Sequence, residues 1–282
     1  MKRTLGSWFQ RNAHSPFRRA YFWLLRHVLG VFGKSQQVYF MNINGHPFKR
    51  VVFLDTRLAA EVEHNLLQFS NERMFPTLIH RHENELLLDF VKGDAFNPEE
   101  FRHRQAFLQF MQSLYKRGRE ETVVDSGPSM RQLTIDLDFL VRCGVLQSEL
   151  QASLLSAAQA VTPETLALGW DYVDPVRKNF IIQSDQLMAI DVESLAHGEP
   201  VGSGLVAATL HWLSNEQLFE LLSEIDAESR DLVLQLPFLA IAYPVGWCKR
   251  KILQGKRNFV PRARLETRGE LARQLASYSS NH

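Results

Sequence analysis

Three polar residues stand at spacings that could move a phosphoryl group. Asp174 and Asn179 are five apart in a loop that enters the apolar run Phe180-Ile181-Ile182, and Asp191 follows Asn179 by twelve. Phosphoryl transfer needs one carboxylate to position the acceptor hydroxyl. It also needs an amide oxygen and a second carboxylate to hold Mg²⁺ on the nucleotide phosphates. A turn at Ser184-Asp185 between Asn179–Ile182 and Leu187–Asp191 makes a short hairpin, which brings the loop and the far strand end together. Each residue alone reads as an ordinary turn Asp or Asn. The three together, on a β island inside a helical region, form a candidate site.

Other signals carry less. His80-x-His82 places two imidazoles on one face of a strand, with no third ligand nearby. Trp170-Asp171-Tyr172 reads as core and loop, and Ser126-Gly127-Pro128 as a turn. There is no Gly-x-Ser-x-Gly, His-Glu-x-x-His or Walker A pattern.

The elements that must carry these residues follow from periodicity. Gln37–Ile43 and Phe48–Leu54 read as strands around the hairpin signal Asn44-Gly45. A helix is expected over Arg57–Phe69, then strands Thr77–His80 and Glu85–Val91, giving the order β–β–α–β–β. Asn97 and Pro98 read as the N-cap and first position of a helix running to about Lys116. Further helices are expected over Ser129–Cys143, Ser148–Ala160, Gly202–Ser223 and Leu234–Leu253.

Composition sets the outer limits. The 282 residues are 45% hydrophobic and 22% charged, which excludes a disordered chain, a fibrous repeat and a polytopic membrane protein. Two cysteines, Cys143 and Cys248, allow neither a disulfide framework nor a zinc spacing, and a reducing, cytoplasmic setting is the simplest reading. The net charge of +1 conceals a segregation. Nine Lys/Arg and no acid lie before Asp55, and nine Lys/Arg face two acids from Lys249 onward. The middle holds 14 bases and 29 acids, a formal −15. Such ends suit a polyanion or an anionic surface. No recognised nucleic-acid module accompanies them, and no nucleic-acid partner is expected. Pro16–Val31 has apolar residues at helical spacing among Arg18, Arg19 and Arg26. It reads as an amphipathic helix, either packed on the body or lying on a membrane surface.

These motifs, in this order, resemble the protein-kinase-like superfamily in its small-molecule and sugar kinase branch. That branch includes aminoglycoside phosphotransferases, choline kinases and the kinases of lipopolysaccharide core sugars. Its D-x-x-x-x-N catalytic loop is matched by Asp174 to Asn179, and its I-D-x-E metal loop by Ile190-Asp191-Val192-Glu193. Gly33-Lys34-Ser35-Gln36-Gln37-Val38-Tyr39 resembles the phosphate-covering turn, and Phe48-Lys49-Arg50-Val51 the strand with the nucleotide lysine. Leu86 to Gly93 resembles the hinge between lobes.

The resemblance implies an α+β, bilobal protein-kinase-like fold with a small antiparallel-sheet lobe and a larger helical lobe. Together with the N-terminal and C-terminal charge readings, it divides the chain into a basic aromatic N-terminal helix (1–33), a small lobe (34–93), and a large lobe with a basic C-terminal tail (94–282). It implies an ATP- and Mg²⁺-dependent phosphotransferase. Asp174 would be catalytic, with Asp171 as the alternative. Asn179 and Asp191 would bind metal, and Lys49 and Gly33 the nucleotide, with Glu61 or Glu63 as the lysine's partner. The position two before the catalytic Asp, usually His in the branch, is Tyr172. With the basic ends, the acceptor expected is a sugar or glycolipid such as lipopolysaccharide core, at the inner face of a bacterial cytoplasmic membrane. A kinase of a soluble small molecule or protein, or a non-catalytic kinase-like scaffold, are the alternatives.

Overall fold

The computed structural model describes residues 36–117, 123–225 and 230–281. Gly33 and the basic aromatic segment 1–33 lie outside them.

The small lobe begins with strands β1 (Gln36–Ile43) and β2 (His46–Phe53), joined at Asn44-Gly45. Both turn residues have positive φ, 52° and 87°, as a two-residue hairpin of this kind requires. Helix α1 (Thr56–Gln68) starts at Asp55, whose carboxylate accepts from Leu58 N. Strands β3 (Leu78–His82) and β4 (Glu85–Asp89) complete an antiparallel sheet of order β1-β2-β4-β3. Val51, Phe53, Leu86 and Leu88 bury the face that receives Val62 and Leu66 of α1. The β–β–α–β–β order matches the sequence reading.

The linker after β4 reaches β5 (Asp94–Ala95), which pairs with β8 (Phe180–Gln183) of the large lobe. β8 pairs in turn with β9 (Gln186–Ala189) across Ser184-Asp185, both at positive φ. A second sheet, of order β10-β7-β6, is built from β6 (Val123–Asp125), β7 (Thr165–Tyr172) and β10 (Leu195–Pro200). The α-helices of six residues or more that follow are α2 (Phe101–Lys116), α3 (Gly127–Arg142), α4 (Ser148–Val161), α5 (Ser203–Ala208), α6 (Asn215–Ser223), α7 (Leu236–Leu253) and α8 (Leu265–Asn281).

Four local expectations are corrected. Asn97 does not cap α2, which begins at Phe101. Its carboxamide oxygen instead accepts from Glu99 N within the preceding turn. Gly202–Ser223 is two helices, because Ser214 and Gln217 form a reciprocal capping box that starts α6 afresh. Trp170-Asp171-Tyr172 is the end of strand β7 and not a loop. The basic C-terminal stretch is no free tail: α8 packs on α7 and α4 with Leu271, Ala272 and Leu275 buried. Among the described residues no helix is long and apolar enough to cross a membrane.

Candidate active site

The loop 173–179 hangs between two buried aromatic anchors. Tyr172 ends β7 and Phe180 begins β8, and their rings lie 5.2 Å apart. Phe110 and Phe107 of α2 pack edge-on against them, at 5.7 Å from Tyr172 and 5.6 Å from Phe180. The loop's backbone is tied from several directions. The Tyr243 hydroxyl donates to Val173 O at 2.6 Å, and Trp212 Nε1 to Pro175 O at 2.6 Å. Val173 N donates to Ser194 O at 2.9 Å, and Asn179 Nδ2 to Asp174 O at 2.9 Å. A loop held this completely presents Asp174 in one place.

Asp191 follows β9, and its carboxylate is oriented by three side chains. Gln36 Nε2 donates to Oδ1 at 3.2 Å; Asn179 Nδ2 and Ser194 Oγ donate to Oδ2 at 3.2 and 3.3 Å. Tyr172 donates its hydroxyl to the Asp191 carbonyl at 3.0 Å. The structure thus brings Asp174, Asn179 and Asp191 together. Asn179 uses its amide hydrogens on Asp191 and on the Asp174 carbonyl, which leaves its Oδ1 as an acceptor.

Asp171 and Asp174 are in opposite situations. Asp171 is wholly buried, accepting from Gly204 N at 3.1 Å and Tyr172 N at 2.7 Å, and burial pushes its carboxyl up to about 7. It supports the start of α5 and faces no solvent. The Asp174 side chain is half exposed. Burial lifts its carboxyl above the ordinary value; Lys251 opposes the shift and Asp191 adds to it. His211 Nε2 sits 3.6 Å from Asp174 Oδ1. Burial, then Lys251 and Arg262, push this imidazole down to about 4, so it is neutral at pH 7.

Lys49 points from β2 across the interlobe gap and donates to the Ile190 carbonyl. Burial lowers its ammonium, while Asp191 and Glu193 hold it up. Neither expected partner on α1 is bonded to it. Glu63 is taken by Arg81 of β3, and Glu61 is exposed. The neighbouring Arg50 faces the other side of the sheet and pairs with Glu85 at 2.5 Å. His80 and His82 are exposed, and no group of three or more metal-binding side chains occurs among the described residues. The oxygens of Asn179 and Asp191 still suit Mg²⁺, which takes one or two protein carboxylates and fills its shell with phosphate and water.

Sequence reasoning missed Gln36, Ser194 and His211. Gln36 and Ser194 each reach the Asp191 carboxylate through one side-chain hydrogen bond, and a lone polar residue at a strand start or in a turn gives no signal. His211 reaches Asp174 only because the turn after α5 folds back beside the loop.

No family model and no curated protein matches the sequence. Solved structures do. One is a thermostable mutant of an aminoglycoside phosphotransferase in ternary complex with ADP and hygromycin B. It is 11% identical, with a TM-score of 0.58, over 87% of this chain and 92% of that one. A macrolide 2′-phosphotransferase from Brachybacterium faecium gives 12%, 0.57, 83% and 88%. A choline kinase from Cryptosporidium parvum gives 14%, 0.55, 89% and 88%. The chain therefore has the bilobal protein-kinase-like fold of the small-molecule phosphotransferases.

Proposed function

We propose that the protein is an ATP- and Mg²⁺-dependent phosphotransferase acting on a hydroxyl of a sugar or glycolipid. The observation that carries this reading is the convergence of Asp174, Asn179, Asp191 and Lys49 at the junction of the lobes. Asp174 orients the acceptor hydroxyl and takes its proton. The acceptor oxygen bonds to the γ-phosphorus, the bond from that phosphorus to the β–γ bridging oxygen breaks, and ADP leaves. Lys49 leaves the Ile190 carbonyl to meet the nucleotide phosphates. Mg²⁺, when bound by Asn179 and Asp191, neutralises charge on those phosphates. Asp171 supports the loop from behind.

The sugar or glycolipid acceptor rests on the segregated charge of the sequence, with lipopolysaccharide core as the example the resemblance supplies. A second reading, a soluble small-molecule acceptor, is favoured by the neighbours, whose names include hygromycin B and choline. ADP release from full-length protein, assayed with soluble sugars and with detergent-solubilised glycolipids, separates the two. Turnover confined to soluble acceptors removes the glycolipid. Co-sedimentation with anionic vesicles that weakens with salt is expected for a membrane-borne acceptor. Asp174→Asn should lower transfer by at least about a hundredfold, roughly 2.7 kcal/mol, while leaving the thermal midpoint near wild type. Retention of more than about a tenth of the rate would remove Asp174 from the reaction.

A further inference from the structure

Around Asp174 positive charge collects. Lys178 comes from the loop itself, Lys251 from the end of α7, and Lys256 from the turn that follows; all three act on the Asp174 carboxylate. Lys251 Nζ lies over the rings of Trp247 and Phe259, at 5.1 and 5.9 Å, and Arg262 lies over Phe259 at 4.5 Å. Arg262 and Lys251 also act on His211.

Other cations of the same basic stretch are structurally committed. Lys249 pairs with Asp136 at 2.5 Å, Arg257 donates to the Gly144 carbonyl, and Arg268 is buried on Ala263 O and Thr209 Oγ1. Lys178, Lys251, Lys256 and Arg262 form no ion pair among the described residues, and from Lys249 to Ala263 there is no acid. Lys178, Lys251 and Lys256 therefore share one carboxylate, Arg262 stands with Lys251 against the Phe259 ring, and that carboxylate is the group assigned to the acceptor hydroxyl. Gathering like charges costs free energy that a bound anion returns.

We propose that the acceptor already carries a phosphate, seated among Lys178, Lys251, Lys256 and Arg262, close to the hydroxyl that Asp174 orients. The substrate class is thus a phosphorylated sugar, free or lipid-linked, and a reaction that installs the first phosphate must precede this one. The inference rests on the phosphotransferase reading for its second phosphate. A cationic acceptor such as an aminoglycoside or choline would meet repulsion here.

The test is calorimetric binding to the full chain with saturating Mg-ADP, so that nucleotide phosphate positions are filled. The probes are glucose, glucose 6-phosphate, monophosphoryl lipid A in detergent micelles, and hygromycin B. At least one phosphorylated probe should bind about tenfold or more tighter than glucose and hygromycin B, and more weakly as salt rises. Preference between the sugar phosphate and the lipid distinguishes a free acceptor from a lipid-linked one. Lys251→Gln should weaken the phosphorylated probe severalfold, and the Lys251→Glu, Arg262→Glu pair should abolish its advantage. Mg-ADP affinity should stay within about twofold in each. Charge-blind binding, tighter binding of hygromycin B, no binding of either phosphorylated probe, or indifference to Lys251→Gln would overturn the proposal. If Mg-ADP itself fails to bind while Lys251 still governs the phosphorylated probe, the anion site stands and the kinase reading falls.

Discussion

As the proposed base, Asp174 has to be ionised to take a proton, and its surroundings resist ionisation. Burial lifts its carboxyl above 3.8, Asp191 adds to the shift, and Lys251 opposes it most. Transfer should therefore show an acid limb that lies above the ordinary carboxylate range, with kcat/KM falling as pH drops through it. Lys251→Gln removes the strongest opposing charge and should move that limb to higher pH, which a pH–rate profile of both proteins checks. A limb that stays put, or moves down, would contradict the assigned base. Lys49 and Arg50 offer a second contrast. They are adjacent in sequence and opposite in direction, one on Ile190 across the gap and the other on Glu85 within the sheet. Lys49→Ala should cost transfer about 3 kcal/mol, whereas Arg50→Ala should cost stability about 0.5–1 kcal/mol and leave nucleotide affinity alone. Nucleotide titrations of the two variants read this directly. Strand alternation made this choice available from sequence. The lysine's carboxylate neighbours were not available from sequence, because Arg81 of β3 captures Glu63 and only the fold brings Asp191 and Glu193 near.

The element that matters most is the β7–loop–β8–β9 unit. Half of it was legible. Phe180-Ile181-Ile182 and Leu187-Met188-Ala189 are apolar runs around a polar turn, and they form the hairpin expected. Strand β7 was not legible, because Gly169 and a charged Asp171 interrupt its apolar residues. Nothing local announces that Asp171 will be buried against the start of α5. The same contact explains Gly204. A Cβ there would sit 2.6 Å from the Tyr172 carbonyl and would also overlap Asp171 and Met111. Backbone and a buried carboxylate cannot yield as a flexible side-chain tip can. Gly204→Ala should lower stability by about 2 kcal/mol or more through overpacking. It should also lower transfer in the folded fraction by displacing Tyr172. A thermal midpoint within a degree or two of wild type would show that α5 can slide to make room.

At the scale of the molecule, the two lobes are joined by more than the linker. Met74 O accepts from Ala189 N at 2.9 Å, and the buried Asn65 of α1 donates to Leu195 O at 3.3 Å. With Gln36 on Asp191 and Lys49 on Ile190, these bonds cross from small to large lobe at four points. Asn65→Ala should leave a buried carbonyl without this donor and cost about 1–3 kcal/mol. Calorimetry should show one transition shifted down, and two separate transitions would mean the lobes are held by the linker alone. None of these crossings could be read from the chain, since each joins residues far apart through a single polar atom. The order of elements could be read, because hairpin turns and periodic apolar faces are local. The segregation of charge could also be read, but not its division of labour. Part of the basic C-terminal stretch braces α7 and α8, whereas Lys251 and Lys256 act on Asp174.

On the proposed phosphotransferase reading, the bond from Lys49 to the Ile190 carbonyl has a consequence for how the molecule meets a nucleotide. This ammonium is a clasp, fastening the sheet to the residue just before Asp191. Triphosphate cannot claim the same charge without undoing that clasp, so part of the binding enthalpy is returned as the fastening opens. The ligand then takes over as the bridge between sheet and hairpin. Affinity and interlobe cohesion therefore draw on one charge, and neither can be strengthened at Lys49 without weakening the other.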